Sequence, residues 1–111
     1  MTFLYLNSDA MGTGDPALGR KLLAMYLDEL SRSDVRVDLV GCVNDGIRLT
    51  TEGSTVLESL RALEARGARI ASCGTCLDHM GMRDRLRIGE VGNMAMTVKV
   101  MAEADRVLRP C

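Results

Sequence analysis

The segment Ser72-Cys73-Gly74-Thr75-Cys76-Leu77-Asp78-His79 places two thiols and the only imidazole of the chain within eight residues. Thiolates are the nucleophilic form of cysteine, and a C-x-x-C pair suits exchange at sulfur, where one thiol attacks and the second resolves. The preceding Ala68–Ser72 has the length and apolar content of a short strand, and Gly74 and Thr75 permit a sharp turn into a helical turn. A cysteine at such a junction lies near exposed backbone N–H groups, which favour thiolate over thiol. The implied chemistry is attack by Cys73 on a persulfide or selenide carrier. Cys73 then holds the transferred atom and Cys76 resolves the adduct as a disulfide. The N–H groups of Gly74 and Thr75 are expected to offset the charge of the bound species, with Asn7, Ser8 and Asn44 as hydrogen-bonding partners.

Other readings of the same residues stay open. Cys73, Cys76 and His79, with Cys42 from a neighbouring strand, have the composition of a Cys₃His zinc site, although only one metal-type spacing is present. Thioredoxin-like exchange uses the C-x-x-C spacing but needs a later cis-proline near the motif, and Pro16 and Pro110 are both unsuitable. His79 can be a base one helical turn from Cys76 or a solvent-facing side chain. Gly12 and Gly14 suggest a phosphate cradle, yet Ala17 stands where the third glycine of G-x-G-x-x-G belongs. Cys42 reads most simply as a small buried residue and Cys111 as a terminal thiol.

Composition sets bounds. A chain of 111 residues, 47% hydrophobic and 26% charged, is one domain, residues 1–111, with enough core to fold without staples. A formal net charge of −1 supplies no field for nucleic acid or an anionic membrane. No apolar run approaches the length of a membrane span, and Met1–Leu6 lacks the basic flank of a secretory signal, so the expected location is cytoplasmic. In a reducing compartment the four cysteines point to catalysis, redox chemistry or metal rather than a disulfide framework. Lys21 and Lys99 are the only lysines among fourteen basic residues, a bias that reads as genome composition. Eight methionines against one Phe, two Tyr and no Trp imply an aliphatic and thioether core. Met11, Met80, Met82, Met94 and Met96 fall in or near the same loops as the cysteines, as core filling or as an apolar rim.

The elements that must position the cysteines alternate in type. Thr2–Leu6 is a strand, exiting into Asn7-Ser8-Asp9. Asp15-Pro16 starts a helix as N-cap and first residue, with Leu18, Leu22, Met25, Tyr26 and Leu30 as its apolar face. Val35–Val43 is a second strand with exit Asn44-Asp45-Gly46, and Ile47–Thr50 a single turn. Thr55 and Glu58 have capping-box spacing before a helix carrying Val56, Leu57, Leu60 and Leu63 and ending at Gly67. After the third strand and the cysteine loop, Leu77–Met82 is a helical turn and Leu86–Ile88 a short fourth strand. In an extended segment Arg83, Arg85 and Arg87 would share a face, as an anion-binding row or as solvated surface. Gly89–Asn93 is a loop. A last helix has Met94, Val98 and Met101 as its stripe, and Ala104–Leu108 supplies a fifth strand. Strands alternating with helices predict a parallel α/β sheet, with ligands bound beyond the carboxyl ends of the strands. Four polar exits share that edge: Asn7-Ser8-Asp9, Asn44-Asp45-Gly46, the Cys73 loop and Asn93.

Taken together, Asn7-Ser8-Asp9 with Met11-Gly12 and Gly14-Asp15, Asn44 with Gly46 and Leu49-Thr50, Glu52-Gly53-Ser54, Ser72-Cys73-Gly74-Thr75-Cys76-Leu77-Asp78, Gly89-Glu90 and Asn93-Met94 resemble the carboxy-terminal domain of the YedF selenium-metabolism family, within the DsrE-like superfamily. The resemblance implies a three-layer α/β/α fold with a five-stranded, mainly parallel sheet, and a homo-oligomer. It implies a sulfur- or selenium-carrier domain whose mobile atom rides on the cysteine after the third strand, the place of Cys73, without a cofactor. Many members begin with a TusA-like domain, and nothing of that kind precedes Phe3. The implied partner is therefore a donor or acceptor protein such as a TusA-like domain. The rival reading is a non-catalytic binding or assembly module whose C-x-x-C holds zinc or is structural.

Overall fold

The computed structural model describes residues 1–111. Strands β1 (Thr2–Leu6), β2 (Leu39–Cys42), β3 (Arg69–Cys73), β4 (Glu90–Gly92) and β5 (Arg106–Leu108) form one sheet in the order β4-β3-β2-β1-β5. Every pairing is parallel, so each connection must cross the sheet. Helices α1 (Pro16–Arg32), α2 (Leu57–Ala65), α3 (Gly74–His79) and α4 (Met94–Glu103) make those crossings. The first three crossovers step across the sheet in one direction and the last returns past β1. The right-handed rule therefore puts α1, α2 and α3 on one face and leaves α4 alone on the other. This is the three-layer α/β/α arrangement, with unequal outer layers. No helix is long and apolar enough to cross a membrane.

The first face carries the main core. Leu4, Leu6, Val40, Cys42 and Ile70 from the strands pack under Leu23, Leu27 and Leu30 of α1, Leu60 and Leu63 of α2 and Leu77 of α3. The α1 face is only partly the expected one: Leu30 is buried and Tyr26 packs against the core, but Leu18 and Met25 are 52% and 54% exposed, while Gly19, Leu23 and Leu27 are buried in their place. The cause is Gly19. A Cβ there would stand 2.8 Å from the Met11 carbonyl oxygen, so only this glycine stripe lets the helix lie close to the preceding loop. The helix start is as expected, with Asp15 accepting from the Ala17 N–H at 2.9 Å and Pro16 in the first turn.

Four further expectations are corrected. β2 is shorter than Val35–Val43, because Asp38 is engaged by the Thr2 N–H before the ladder begins at Leu39. The Thr55–Glu58 capping box is not formed; α2 is entered through Val56, whose N–H goes to the Ser54 hydroxyl. The fourth strand is Glu90–Gly92, not Leu86–Ile88. Leu86 bridges antiparallel to Thr51 and the Arg87 N–H reaches the Thr50 carbonyl, so this segment is already paired elsewhere. Gly89, at φ +78°, then turns the chain against the Ile70 carbonyl before β4 can start. Consequently the arginines form no row: Arg83 pairs with Asp78 and Arg87 with Glu52.

On α4 only Val100 is buried, and Met94, Met96 and Val98 are all exposed, so the expected Met94, Val98 and Met101 stripe is not a packed face. Asn93 caps this helix, accepting from the Met96 N–H at 2.8 Å.

Candidate functional site

Side chains alternate along a strand, so Ile70 and Ser72 of β3 face the main core and Arg69, Ala71 and Cys73 face α4. Cys73 is the last residue of β3 and the N-cap of α3, at φ −58° and ψ 122°. Its side chain is mostly covered, at 7% residue exposure. Burial alone raises a thiol's pKa. Here the N–H groups of Cys76 and Thr75, with the Cys76 thiol and the Thr75 hydroxyl, outweigh it and hold Cys73 below the ordinary thiol range. Cys76 moves the other way. Burial raises it and the neighbouring Cys73 sulfur adds to the rise, although the Asn44 N–H, 3.1 Å from its sulfur, favours the thiolate. The two thiols are therefore unequal, Cys73 being the more readily ionised.

The elements hold this geometry firmly. Asn44 opens the 3₁₀ turn Asn44–Leu49 at φ 51°, a left-handed conformation that asparagine tolerates, and this aims its N–H at Cys76. Gly46 lies against β1 so closely that a Cβ would fall 2.1 Å from the Leu6 carbonyl oxygen. Behind Cys73, the fully buried Thr50 hydroxyl donates to the Ile47 carbonyl at 3.0 Å. Its single proton being used, the Ser72 hydroxyl is the donor in their 2.6 Å contact. No buried side-chain N or O atom lacks a partner. Gly74 is pressed by Val91 and by Arg83, each 3.0 Å from where a Cβ would be. Arg83 in turn binds Asp78 through both carboxylate oxygens, at 2.7 and 3.0 Å, which ties the end of α3 to the segment beyond it.

The expected site residues divide into two groups. Cys73, Cys76, Gly74, Thr75 and the Asn44 backbone come together, and Asn93 lines the same cleft as Cys73. Gly74 and Thr75 are the first two residues of α3, directly after Cys73. Asn7, Ser8 and Asp9 leave β1, which is separated from β3 by β2. Ser8 accepts from the Ala10 N–H at 3.1 Å, and Asp9 borders a different, polar depression with Arg20 and Arg48. The Cys₃His set is not assembled: Cys42 faces the main core, His79 is exposed, and no group of three or more ligand-type side chains is in place for a metal. Burial pushes the Cys42 pKa up to about 12.

Sequence reasoning missed the space beside Cys73. Between α4 and the sheet runs a cleft of about 220 Å³ whose floor includes Gly41, Ala71 and Gly92. The available signal was the alternation in β3, which puts the small Ala71 on the same face as Cys73.

The sequence matches no protein-family model and no curated protein. Solved structures do resemble it. The ychN protein from E. coli is 19% identical, with a TM-score of 0.67, over 97% of both chains. The protein of unknown function MTH1491 from Methanobacterium thermoautotrophicum is 19% identical, with a TM-score of 0.70, over 98% of this chain and 97% of that one. The conserved protein of unknown function BT1422 from Bacteroides thetaiotaomicron is 16% identical, with a TM-score of 0.64, over 97% of this chain and 93% of that one. At these identities the likeness is one of fold, the three-layer α/β/α arrangement.

Proposed function

We propose that the chain is a sulfur- or selenium-carrier domain of the YedF type, with Cys73 as acceptor and Cys76 as resolving thiol. The observation that carries this reading is the placement of Cys73 at the junction of β3 and α3, with a second thiol, Cys76, in the first turn of the helix and the Asn44 N–H 3.1 Å from the Cys76 sulfur. In the forward step the Cys73 thiolate attacks the outer sulfur of a donor persulfide. The donor's S–S bond breaks, its inner sulfur leaves as thiolate and takes up a proton, and Cys73 retains a persulfide. The atom then passes to an acceptor thiolate. Alternatively, Cys76 attacks the inner sulfur of the adduct, closing a Cys73–Cys76 disulfide and releasing hydrosulfide. A selenium atom follows the same course. Asn44 holds Cys76 through its backbone N–H, and Asn93 stands at the cleft.

A protein partner such as a TusA-like domain fits this role, and so does assembly with further copies of the chain. Met94, Met96 and Val98 leave an apolar surface on α4 in support of the latter.

Intact mass spectrometry of the reduced protein tests the reading, after exposure to a persulfide-generating desulfurase and, separately, to a selenopersulfide donor R–S–SeH, whose S–Se bond breaks as its selenium passes to the Cys73 thiolate and R–S⁻ leaves. The expected result is a chalcogen adduct that is lost in Cys73→Ser and kept in Cys76→Ser. Stoichiometric zinc with both thiols shielded from alkylation, or no adduct on the folded chain, would overturn it.

A further inference from the structure

The cleft beneath α4 has a makeup that the carrier reading alone does not use. Its floor is paved with Gly41, Ala71 and Gly92 from three adjacent strands, with Phe3 at one side and Val100 of α4 above. Ala71 and Gly92 leave space above the sheet, while over Gly41 the Phe3 ring sits 2.8 Å from where a Cβ would be. The polar side chains around it are already engaged. Asp38 takes the Thr2 N–H at 2.7 Å, Arg69 binds Glu90, Asn93 caps α4, and the Thr97 hydroxyl donates to the Asn93 carbonyl at 3.3 Å. Of the two cysteines that border it, Cys42 is fully buried with its pKa pushed up to about 12, so the reactive group at its wall is the Cys73 thiol. The lining is mainly apolar, with Phe3, Val43, Val91, Met96 and Val100 around the small residues of the floor, so it favours an apolar occupant, and its volume of about 220 Å³ exceeds the apolar cavity of about 150 Å³ that takes benzene.

We propose that this cleft seats the apolar organic group of a small persulfide donor, of roughly benzene's size, with the outer sulfur presented to Cys73. The inference rests on the carrier reading for its chemistry. The donor R–S–SH gives its outer sulfur to the Cys73 thiolate, and R–S⁻ leaves with the apolar group and is protonated to the thiol. The protein partner is then the acceptor of the sulfur and not its source.

The test uses alkyl methanethiosulfonates, which leave R–S– on a thiolate and release methanesulfinate. They therefore probe the seat without persulfide transfer. Rates at Cys73 are followed by peptide mass for the methyl and benzyl reagents and divided by those of glutathione. Each buried methylene equivalent is worth roughly fourfold, or ~0.8 kcal/mol, so the expected benzyl-to-methyl ratio exceeds that of glutathione by at least about tenfold. Ala71→Val from the floor and Val100→Phe from the roof each bring the ratio down to that of glutathione. A wild-type ratio equal to glutathione's, or a preference that survives both substitutions, overturns the proposal.

Titration of Cys73→Ser with benzene supplies a readout free of chemistry. Amide shifts at Gly41, Ala71 and Gly92 are expected, and their absence overturns the seat even where the thiol is slow. A chalcogen adduct on Cys73 without benzyl preference leaves the carrier and removes the seat. Benzyl preference without an adduct does the reverse.

Discussion

The Ser72–Thr50 contact allows a sharp energetic test of how Cys73 is held. Both hydroxyls are buried, at 1% and 0% exposure, and lie 2.6 Å apart. Thr50→Val keeps the shape and removes the acceptor of the Ser72 proton. The Ile47 carbonyl loses little, because the Thr51 hydroxyl still reaches it at 3.0 Å. The expense is therefore the orphaned Ser72 donor, roughly 1–3 kcal/mol. Ser72→Ala alone costs about 0.5–1.5 kcal/mol, since the Thr50 hydroxyl keeps its Ile47 acceptor. In the double variant no donor is stranded, so the cycle should show a coupling of about 1 kcal/mol, with the double variant no less stable than Thr50→Val alone. Urea unfolding monitored by far-UV circular dichroism measures all four corners. For a chain of this size the same energies amount to roughly 4–6 °C of melting temperature per kcal/mol. Additivity within about 0.3 kcal/mol would refute the assignment of Ser72 as donor and of the pair as one unit.

The remaining expectations concern reactivity and packing. Iodoacetamide modification of Cys73 should titrate at lower pH than that of free cysteine, and Cys76→Ala should move the Cys73 profile to higher pH by removing one donor; an unmoved profile would show that the thiol of Cys76 plays no part. Cys42, whose pKa burial holds at about 12, should resist the reagent in the folded chain and react only on unfolding. Gly46→Ala should cost more than about 2 kcal/mol, since neither backbone of the 2.1 Å encounter with Leu6 is free to yield; a near-neutral melt would contradict it. Leu27→Ala should cost about 2–5 kcal/mol and Leu18→Ala under about 0.5, which reads the face of α1 directly by thermal melting.

Strands β1, β3 and β5, the cap of α1 and the thiol pair at the end of β3 were legible because each is written locally, in short apolar runs bounded by polar or turn residues, in Asp15-Pro16 and in the C-x-x-C spacing. The face of α1 was so only in part. Leu18, Leu22 and Met25 and the stripe of Leu23 and Leu27 both lead with helical spacing to Leu30, which was expected and is buried, and Gly19 packs against Met11, a contact the periodicity does not report. The fourth strand escaped for a similar reason: Leu86–Ile88 has strand character, and its partner, the segment at Thr51, lies far back in the chain. The cleft escaped because Gly41, Ala71 and Gly92 become a floor only when three strands are in register. Periodicity reports where a side chain sits on its own element, whereas these features depend on which element arrives next to it.

The strand order also bears on how the chain reaches its folded state. Strands β1 to β4 add to the growing sheet one after another, each joined to its neighbour through the helix just made. β5 alone must return to β1, pairing Thr2 with Arg106 and bringing the Met1 amine to Asp105. Loop closure over such a separation is slow and comes late. The dithiol, by contrast, is built from β2, β3, α3 and the Asn44 turn, all contiguous in the middle of the sequence. During synthesis a reactive cysteine pair would thus exist before the edge of β1 is covered. Thiol reactivity would then register the arrival of the central strands, and only protection of the β1 amides from hydrogen exchange would register completion of the sheet.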